Sequence, residues 1–146
     1  MAKAENEAAV SISKKTYAAM MLHLRNAYPE EGCGILLGNE HSGTVAGISS
    51  MDNSIAEGRK ASHYLIDPIE LYKLETEAES RGMTVAGIYH SHPDKAAVLS
   101  KEDKLGMIPG MLYLVVSTGE SGIGEIKGYR KDEPDGKIYG VSIEEA

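Results

Sequence analysis

Two histidines and an aspartate further along the chain are the residues whose types and spacing are best suited to chemistry. His90 and His92 lie at the end of the short apolar run V-A-G-I-Y, which suits a buried strand. Because residues two apart on an extended chain point to the same face, both imidazoles are expected to enter one pocket. Pro93 then breaks the strand, and seven residues separate His92 from Ser100.

The segment from Ser100 to Asp103 predicts the start of a short helix, with Ser100 as its N-cap. If the preceding loop folds back, Asp103 joins the two histidines, and two imidazoles with one carboxylate bind zinc well. Three protein ligands leave the fourth tetrahedral position for water, which is typical of a catalytic site. A capping box would explain Ser100 and Asp103 without any metal, and the segment taken alone favours that interpretation.

Together these residues form the pattern H-x-H-x7-S-x-x-D, which resembles the metal motif of the JAMM (MPN-type) metalloproteases. The chain is most similar to the short, stand-alone bacterial members of that family. Its segment P-E-E-G-C-G-I-L-L-G resembles the family's P-x-E-x-C-G segment, and this likeness implies that Glu31 is the catalytic acid. The resemblance covers roughly residues 10 to 130.

The resemblance implies a fold, a cofactor and a reaction. The fold would be α+β (mixed α/β), with a curved mixed β-sheet flanked by two main helices, as in MPN and cytidine-deaminase-like proteins. Zn²⁺ would be held by His90, His92 and Asp103, while Glu31 would accept the proton of the attacking water and Ser100 would stabilise the oxyanion. The expected substrate is a peptide or isopeptide bond at the C-terminal tail of a small ubiquitin-like or sulfur-carrier protein.

Cys33 has two interpretations. A buried cysteine commonly serves as a small apolar residue, and this is the preferred one. Alternatively, its thiolate reaches the metal and silences or closes the site, because zinc has a high affinity for sulfur. The second interpretation would make the chain a small metal-binding or regulatory protein.

A non-catalytic MPN-type scaffold or interaction module is the main alternative to the enzyme. Such relatives usually lack one or more of the five motif positions, whereas this chain has all five. The loop 94–99 lacks the second proline that is common in bacterial relatives, which leaves the choice of substrate open. The long insertions of eukaryotic relatives are also absent, so specificity for ubiquitin itself is not expected.

Composition sets the remaining expectations. The 146 residues suit a single domain over 9–146 after a flexible N-terminus at 1–8, and the net charge of −7 argues against a nucleic-acid partner. One cysteine cannot form an internal disulfide, and neither a signal peptide nor a membrane span is recognised. We therefore expect a cytoplasmic protein, whose oligomeric state the sequence leaves open.

The predicted elements alternate between strands and helices, which favours an α+β or mixed α/β class. The polar segment 51–62 carries no motif and is expected to be a flexible loop beside the site. His23, within the first helix, is given no role. Strands are predicted at 9–12, 33–39, 44–50, 63–66, 84–92, 111–117, 123–130 and 137–143, helices at 13–27, 67–81 and 100–107, and a turn at 41–43.

Overall fold

The computed structural model describes residues 9–39, 44–55 and 57–146. Its strands are β1 (Ala9–Ile12), β2 (Cys33–Asn39), β3 (Thr44–Met51), β4 (Met83–Pro93), β5 (Leu112–Gly119), β6 (Gly122–Arg130) and β7 (Tyr139–Glu145). Its α-helices are α1 (Lys14–Ala27), α2 (Pro68–Ser80) and α3 (Lys101–Leu105), and a 3-10 turn lies at Glu57–Arg59. The expected N-terminal segment 1–8 and the turn 41–43 lie outside the described residues.

The strands form a closed barrel in the order β1-β3-β2-β4-β5-β6-β7. The short β1 closes it, because β1 pairs in parallel with β3 on one side and with β7 on the other. β4 and β5 are also parallel, whereas the remaining neighbours are antiparallel. The prediction of a curved, mixed sheet in an α+β protein is therefore confirmed, and the curvature is sufficient to bring the first and last strands together.

α1 packs on one face of the sheet. It begins after Ser13, whose hydroxyl accepts a hydrogen bond from Thr16 N–H at 3.2 Å, as expected of an N-cap. Met20 and Leu24 are fully buried, and Tyr17 and Met21 pack against the same core. Their spacing places all four on one side of the helix, so this apolar stripe packs the helix against the sheet.

α2 covers the opposite face of the sheet. Asp67 caps it by accepting a hydrogen bond from Ile69 N–H at 2.8 Å, and Pro68 occupies its first turn. Ala78 packs with Ile35 and Leu37 of β2, whereas Leu36, between them, joins the core under α1. This alternation follows from the two-residue period of a strand. Because residues paired across neighbouring strands lie on the same face of a sheet, the residues of β4 alternate between the same two faces.

The predicted strand at 63–66 is wrong. The segment pairs with the side chain of Asn53 instead of a strand: Asn53 Nδ2 donates to His63 C=O at 2.9 Å, and Asn53 Oδ1 accepts from Leu65 N–H at 3.0 Å. Ser54 N–H also donates to Leu65 C=O at 2.8 Å. An apolar run predicts extended backbone here, but its hydrogen-bond partners are the Asn53 side chain and the single N–H of Ser54, which no strand pattern reveals.

Within the described ranges, no helix combines the length and the apolar character that crossing a bilayer would require.

Candidate metal centre

β4 brings His90 and His92 into the candidate site. His90 pairs with Cys33 of β2 on one side and with Val115 of β5 on the other, so its backbone is held in the middle of the sheet. The two imidazoles are 0% and 5% exposed, and their Nε2 atoms lie 3.3 Å apart. The prediction that both rings enter one pocket is confirmed.

Asp103 reaches the same pocket from the first turn of α3. Ser100 Oγ accepts a hydrogen bond from Asp103 N–H at 3.0 Å, and Asp103 Oδ2 accepts one from Ser100 N–H at 2.9 Å. This is the reciprocal capping box that the sequence offered as the alternative to a metal site. The capping box and the metal-ligand geometry are compatible. The hydrogen bond from Ser100 N–H fixes the direction of the Asp103 carboxylate, which at the same time faces both histidines.

The three side chains form a compact group of donors. Asp103 Oδ1 lies 3.4 Å from His90 Nε2, and Asp103 Oδ2 lies 3.2 Å from His92 Nε2. Among the described residues, this is the one group of ligand-type side chains whose donor atoms all lie within 4.8 Å of one another. Zinc–ligand bonds of about 2.0–2.1 Å at tetrahedral angles place donor atoms about 3.3–3.4 Å apart, so the spacing fits a tetrahedral ion.

The hydrogen bonds of the two rings differ. His92 Nδ1 lies 3.0 Å from the carbonyl oxygen of Ala96, so Nδ1 carries the proton that donates to it, and Nε2, 3.2 Å from Asp103 Oδ2, is the atom that can bind a metal once it is deprotonated. His90 Nδ1, in contrast, is buried and has no hydrogen-bond partner among the described residues. The orientation of the His90 ring therefore depends on packing.

The local charges favour an ionised Asp103. Burial opposes ionisation, but hydrogen bonds with His90 and His92 outweigh it and hold the pKa of Asp103 well below its usual range. Burial lowers the pKa of His90 and so keeps that ring neutral. A neutral imidazole and an ionised carboxylate are the protonation states that bind a metal.

Glu31 lies in the short connection between α1 and β2 and is only 4% exposed. Its N–H donates to Lys60 C=O at 2.7 Å. The next residue, Gly32, donates its N–H to Ser91 Oγ at 2.9 Å and accepts from Ser91 N–H at 3.0 Å. Ser91 lies between the two histidines, so the strand that carries them also holds the Glu31 segment. Burial raises the pKa of Glu31 to about 7, which suits a group that exchanges protons near neutrality.

A groove of about 740 Å³ connects these residues, and Glu31, His92, Ser100 and Asp103 all line it. Its apolar wall includes Leu65, Val98 and Ile108, which are 49%, 56% and 49% exposed. His63 Nε2 lies 2.9 Å from Glu102 Oε1, joining the segment after the polar loop to α3 across the groove.

Cys33 lies beside the site but outside the group of three donors. It is fully buried, and its Sγ is 3.8 Å from Met51 C=O and 4.0 Å from Asp52 C=O. Burial, with the charges of Glu31 and Asp52, raises the pKa of its thiol to about 12. These surroundings favour the interpretation of Cys33 as a small apolar residue.

Cys33 is expected to be inert in the native protein. At pH 8 a thiol with this pKa has a thiolate fraction lower by roughly two-thousandfold than an exposed cysteine with a pKa of about 8.5. Ellman's reagent should therefore label the native protein slowly and the guanidinium-unfolded protein rapidly, and Cys33→Ala should retain its metal. Rapid labelling of the native protein, or loss of metal from Cys33→Ala, would contradict this interpretation.

Sequence reasoning missed the side chains that support the site. Tyr64 stacks on His90 with ring centroids 4.5 Å apart and planes 25° from parallel. His23, which was given no role, has its Nδ1 2.8 Å from the hydroxyl of Tyr89. Gly34 makes room for that tyrosine, because a Cβ there would overlap the Tyr89 ring. These contacts join residues that are distant in sequence, so no local pattern signals them.

The fold and the donors define a mixed α+β barrel protein built around a three-donor group that can hold a metal ion. The chain belongs to the family of prokaryotic homologs of the JAB domain, whose pattern matches residues 13–130. This membership confirms the family that the motif residues indicated.

Two relatives and one solved structure illustrate the similarity. The chain is 38% identical to desampylase of Haloferax volcanii over 90 residues. The matched region covers 61% of this chain and 63% of desampylase, which is less than two thirds of that relative. It is 34% identical over 113 residues to CysO-cysteine peptidase of Mycobacterium tuberculosis, covering 77% and 75% of the two chains. A solution structure of a protein from Desulfitobacterium hafniense matches 94% of this chain and 92% of its own, with a TM-score of 0.78 and 26% identity.

Proposed function

We propose that this protein is a zinc-dependent peptidase that cleaves a peptide or isopeptide bond at the C-terminal tail of a small ubiquitin-like or sulfur-carrier protein. The observation that carries the proposal is the triangle of His90, His92 and Asp103 donors, spaced for a tetrahedral ion and opening on the groove that Glu31 lines. Zinc is the proposed ion because two imidazoles and a carboxylate suit it and three ligands are typical of its catalytic sites.

The proposed roles follow from the position of each side chain. When bound, zinc supplies a Lewis acid and lowers the pKa of water from about 15.7 to about 7. Glu31 takes the proton of the attacking water and gives it to the leaving nitrogen, which requires a carboxylate that changes protonation near neutral pH. The Ser100 hydroxyl accepts from Asp103 N–H, and its own proton can be donated to the oxyanion that develops on the substrate carbonyl.

The proposed substrate comes from the family and from two named relatives. One relative is named as a peptidase of CysO-cysteine and the other as a desampylase. The apolar groove beside the candidate site can accommodate an extended tail. We propose that the tail pairs with the backbone of Tyr64. The N–H of Leu65 bonds to the Asn53 side chain, and its C=O bonds to Ser54 N–H. In an extended chain the backbone groups of neighbouring residues point in opposite directions, so the N–H and C=O of Tyr64 would point away from Asn53. Among the described residues nothing bonds to these two groups of Tyr64, so a substrate strand could pair with them.

The substrate proposal is tested with purified protein at full zinc loading. A carrier protein joined to a single cysteine, and another joined through its tail to a lysine side chain, would be incubated with the enzyme and analysed by mass spectrometry. Cleavage after the terminal glycine of either adduct is the expected result. If both adducts stay intact while metal content is stoichiometric, the substrate class is wrong.

Removing the Ser100 hydroxyl is expected to slow turnover by roughly 10²–10³, the usual cost of losing one oxyanion donor. Ser100→Ala should bind zinc with nearly unchanged affinity, because the Asp103 carboxylate still accepts from the backbone N–H of residue 100. The lost cap costs about 0.5–2 kcal/mol of stability. Ser100→Thr, which keeps a hydroxyl, is the matched control, and equal rates for the two variants would exclude the oxyanion role.

We also propose that residues 9–146 form one domain and that the protein works in the cytoplasm. The first proposal is supported by the pairing of β1 with β7, which joins opposite ends of the described chain in one sheet. The second is supported by a lone cysteine, Cys33, which is buried and suits a reducing compartment.

A further inference from the structure

Asn53, in the polar loop that showed no motif, uses its whole hydrogen-bonding capacity. Its Nδ2 donates to the carbonyl oxygens of Glu31 at 3.1 Å and of His63 at 2.9 Å. Its Oδ1 accepts from the N–H groups of Ile55 at 3.1 Å and of Leu65 at 3.0 Å. An amide has two donor hydrogens and one oxygen with two lone pairs, and the four partners fix which end is which.

These four bonds join two segments of the site, beside the backbone bonds from Glu31 N–H to Lys60 C=O and from Ser54 N–H to Leu65 C=O. One segment carries Glu31, the proposed base. The other passes through Tyr64, because Asn53 holds the residues immediately before and after it, His63 and Leu65. Tyr64 in turn stacks on the ring of His90. The single Asn53 side chain therefore touches the segment of the proposed base and the support of a metal-ligand candidate.

His90 depends on this support more than His92 does. The Nδ1 of His92 is held by the Ala96 carbonyl, which fixes both tautomer and ring plane. His90 Nδ1 has no such partner among the described residues, although it is buried. The Tyr64 ring, 4.5 Å away, covers one face of the His90 imidazole. Packing by Tyr64 thus takes the place of the hydrogen bond that usually orients a ligating histidine.

We propose that Asn53 is a positioning residue that sets the Glu31 carboxylate and the His90 ring relative to each other. It touches neither the substrate nor the metal site, and it acts through the Glu31 carbonyl and through Tyr64. The inference rests on the proposed roles of Glu31 and His90. The polar loop between β3 and α2 thus supplies one amide that contacts both halves of the site.

Two variants separate the two arms of this arrangement. Asn53→Asp keeps an oxygen for the Ile55 and Leu65 N–H groups but loses both donors, so it releases the carbonyls of Glu31 and His63 and keeps the bond to Leu65 on the other side of Tyr64. Asn53→Ala loses all four bonds. Asn26→Asp, the same chemical change at an exposed position on α1, is the matched control.

The first measurements do not depend on activity. In Asn53→Ala, NMR hydrogen exchange of the Ile55 and Leu65 amides should accelerate by about fivefold, because a net hydrogen bond is worth roughly 1 kcal/mol. Zinc affinity, measured by chelator competition, should fall by about tenfold, the lower range for a lost supporting partner. Asn53→Asp should keep the amide protection and near-normal zinc affinity. Unchanged exchange and unchanged affinity in Asn53→Ala would overturn the proposal.

Turnover of a cleavable carrier adduct supplies the second readout. Asn53→Asp should lose kcat by about 10²-fold, the typical cost of an error of order 1 Å in catalytic geometry, while KM changes little. A purely structural role would instead lower the melting temperature and leave kcat of the folded fraction unchanged, and that result would overturn the proposal. If the wild-type protein cleaves no adduct, the peptidase proposal fails, whereas the exchange and affinity measurements still decide the role of Asn53.

Discussion

Replacing Asp103 with asparagine is expected to abolish tight zinc binding, and activity with it. The variant loses the one ionised ligand of the group, so the two neutral imidazoles of His90 and His92 are left to hold a dication with a weak amide oxygen. The measurement is zinc content after equilibration with a chelator of known affinity. The wild type should retain close to one ion per chain at a chelator concentration that strips Asp103→Asn.

The control for this prediction removes the other half of the same capping box. Ser100→Ala weakens the start of α3 but keeps the Asp103 carboxylate facing both histidines. It should therefore bind zinc like the wild type, although it is less stable. Equal loss of zinc from the two variants would mean that the helix start, and not the carboxylate, is what the metal requires. Full retention of zinc by Asp103→Asn would remove Asp103 from the ligand set.

Glu31→Gln is expected to keep zinc and lose turnover by about 10²–10⁴, the usual contribution of a general acid–base group. Glutamine has nearly the same shape and can be buried at the same place, but it cannot take a proton from water. Stability should change little or increase, because the ionised carboxylate is buried at a cost that the raised pKa of Glu31 reflects. Single-turnover rates at saturating zinc measure the effect on chemistry.

Glu30→Gln is the matched control, because Glu30 is adjacent and exposed. It should be fully active. If instead Glu30→Gln is inactive and Glu31→Gln is active, the proposed base is assigned to the wrong residue. The pH profile supplies a further check, since Glu31 works as a base only when ionised. Activity should fall as the pH decreases through its pKa, which is about 7 before the charge of a bound metal lowers it.

The parts of the site that follow local rules were predictable from the sequence. The two-residue period of a strand places His90 and His92 on one face, and the capping signature places Ser100 and Asp103 at a helix start. Both motifs fall close to ends of elements, where a Pro or an N-cap marks the boundary. The fold-back of the loop between them was a condition of the prediction, and the structure meets it.

The contacts that depend on long-range packing were not predictable. Closure of the barrel rests on β1, four residues whose partners in β3 and β7 are distant in sequence. The segment 63–66 was given a strand pattern, yet its backbone bonds to the amide of Asn53. Burial of Glu31 also has no local signal, because an acid before a strand is usually solvated. In each case the deciding partner comes from another part of the fold.

The closed sheet has a consequence for solubility. The apolar strands β2, β4 and β5 are adjacent in the barrel, and each has a neighbouring strand on both sides. β5 contains the run L-Y-L-V-V, a segment of the kind that seeds amyloid when its backbone is free to act as a template. Because this run is flanked by other strands, aggregation should require global unfolding, and its rate should follow the unfolding rate.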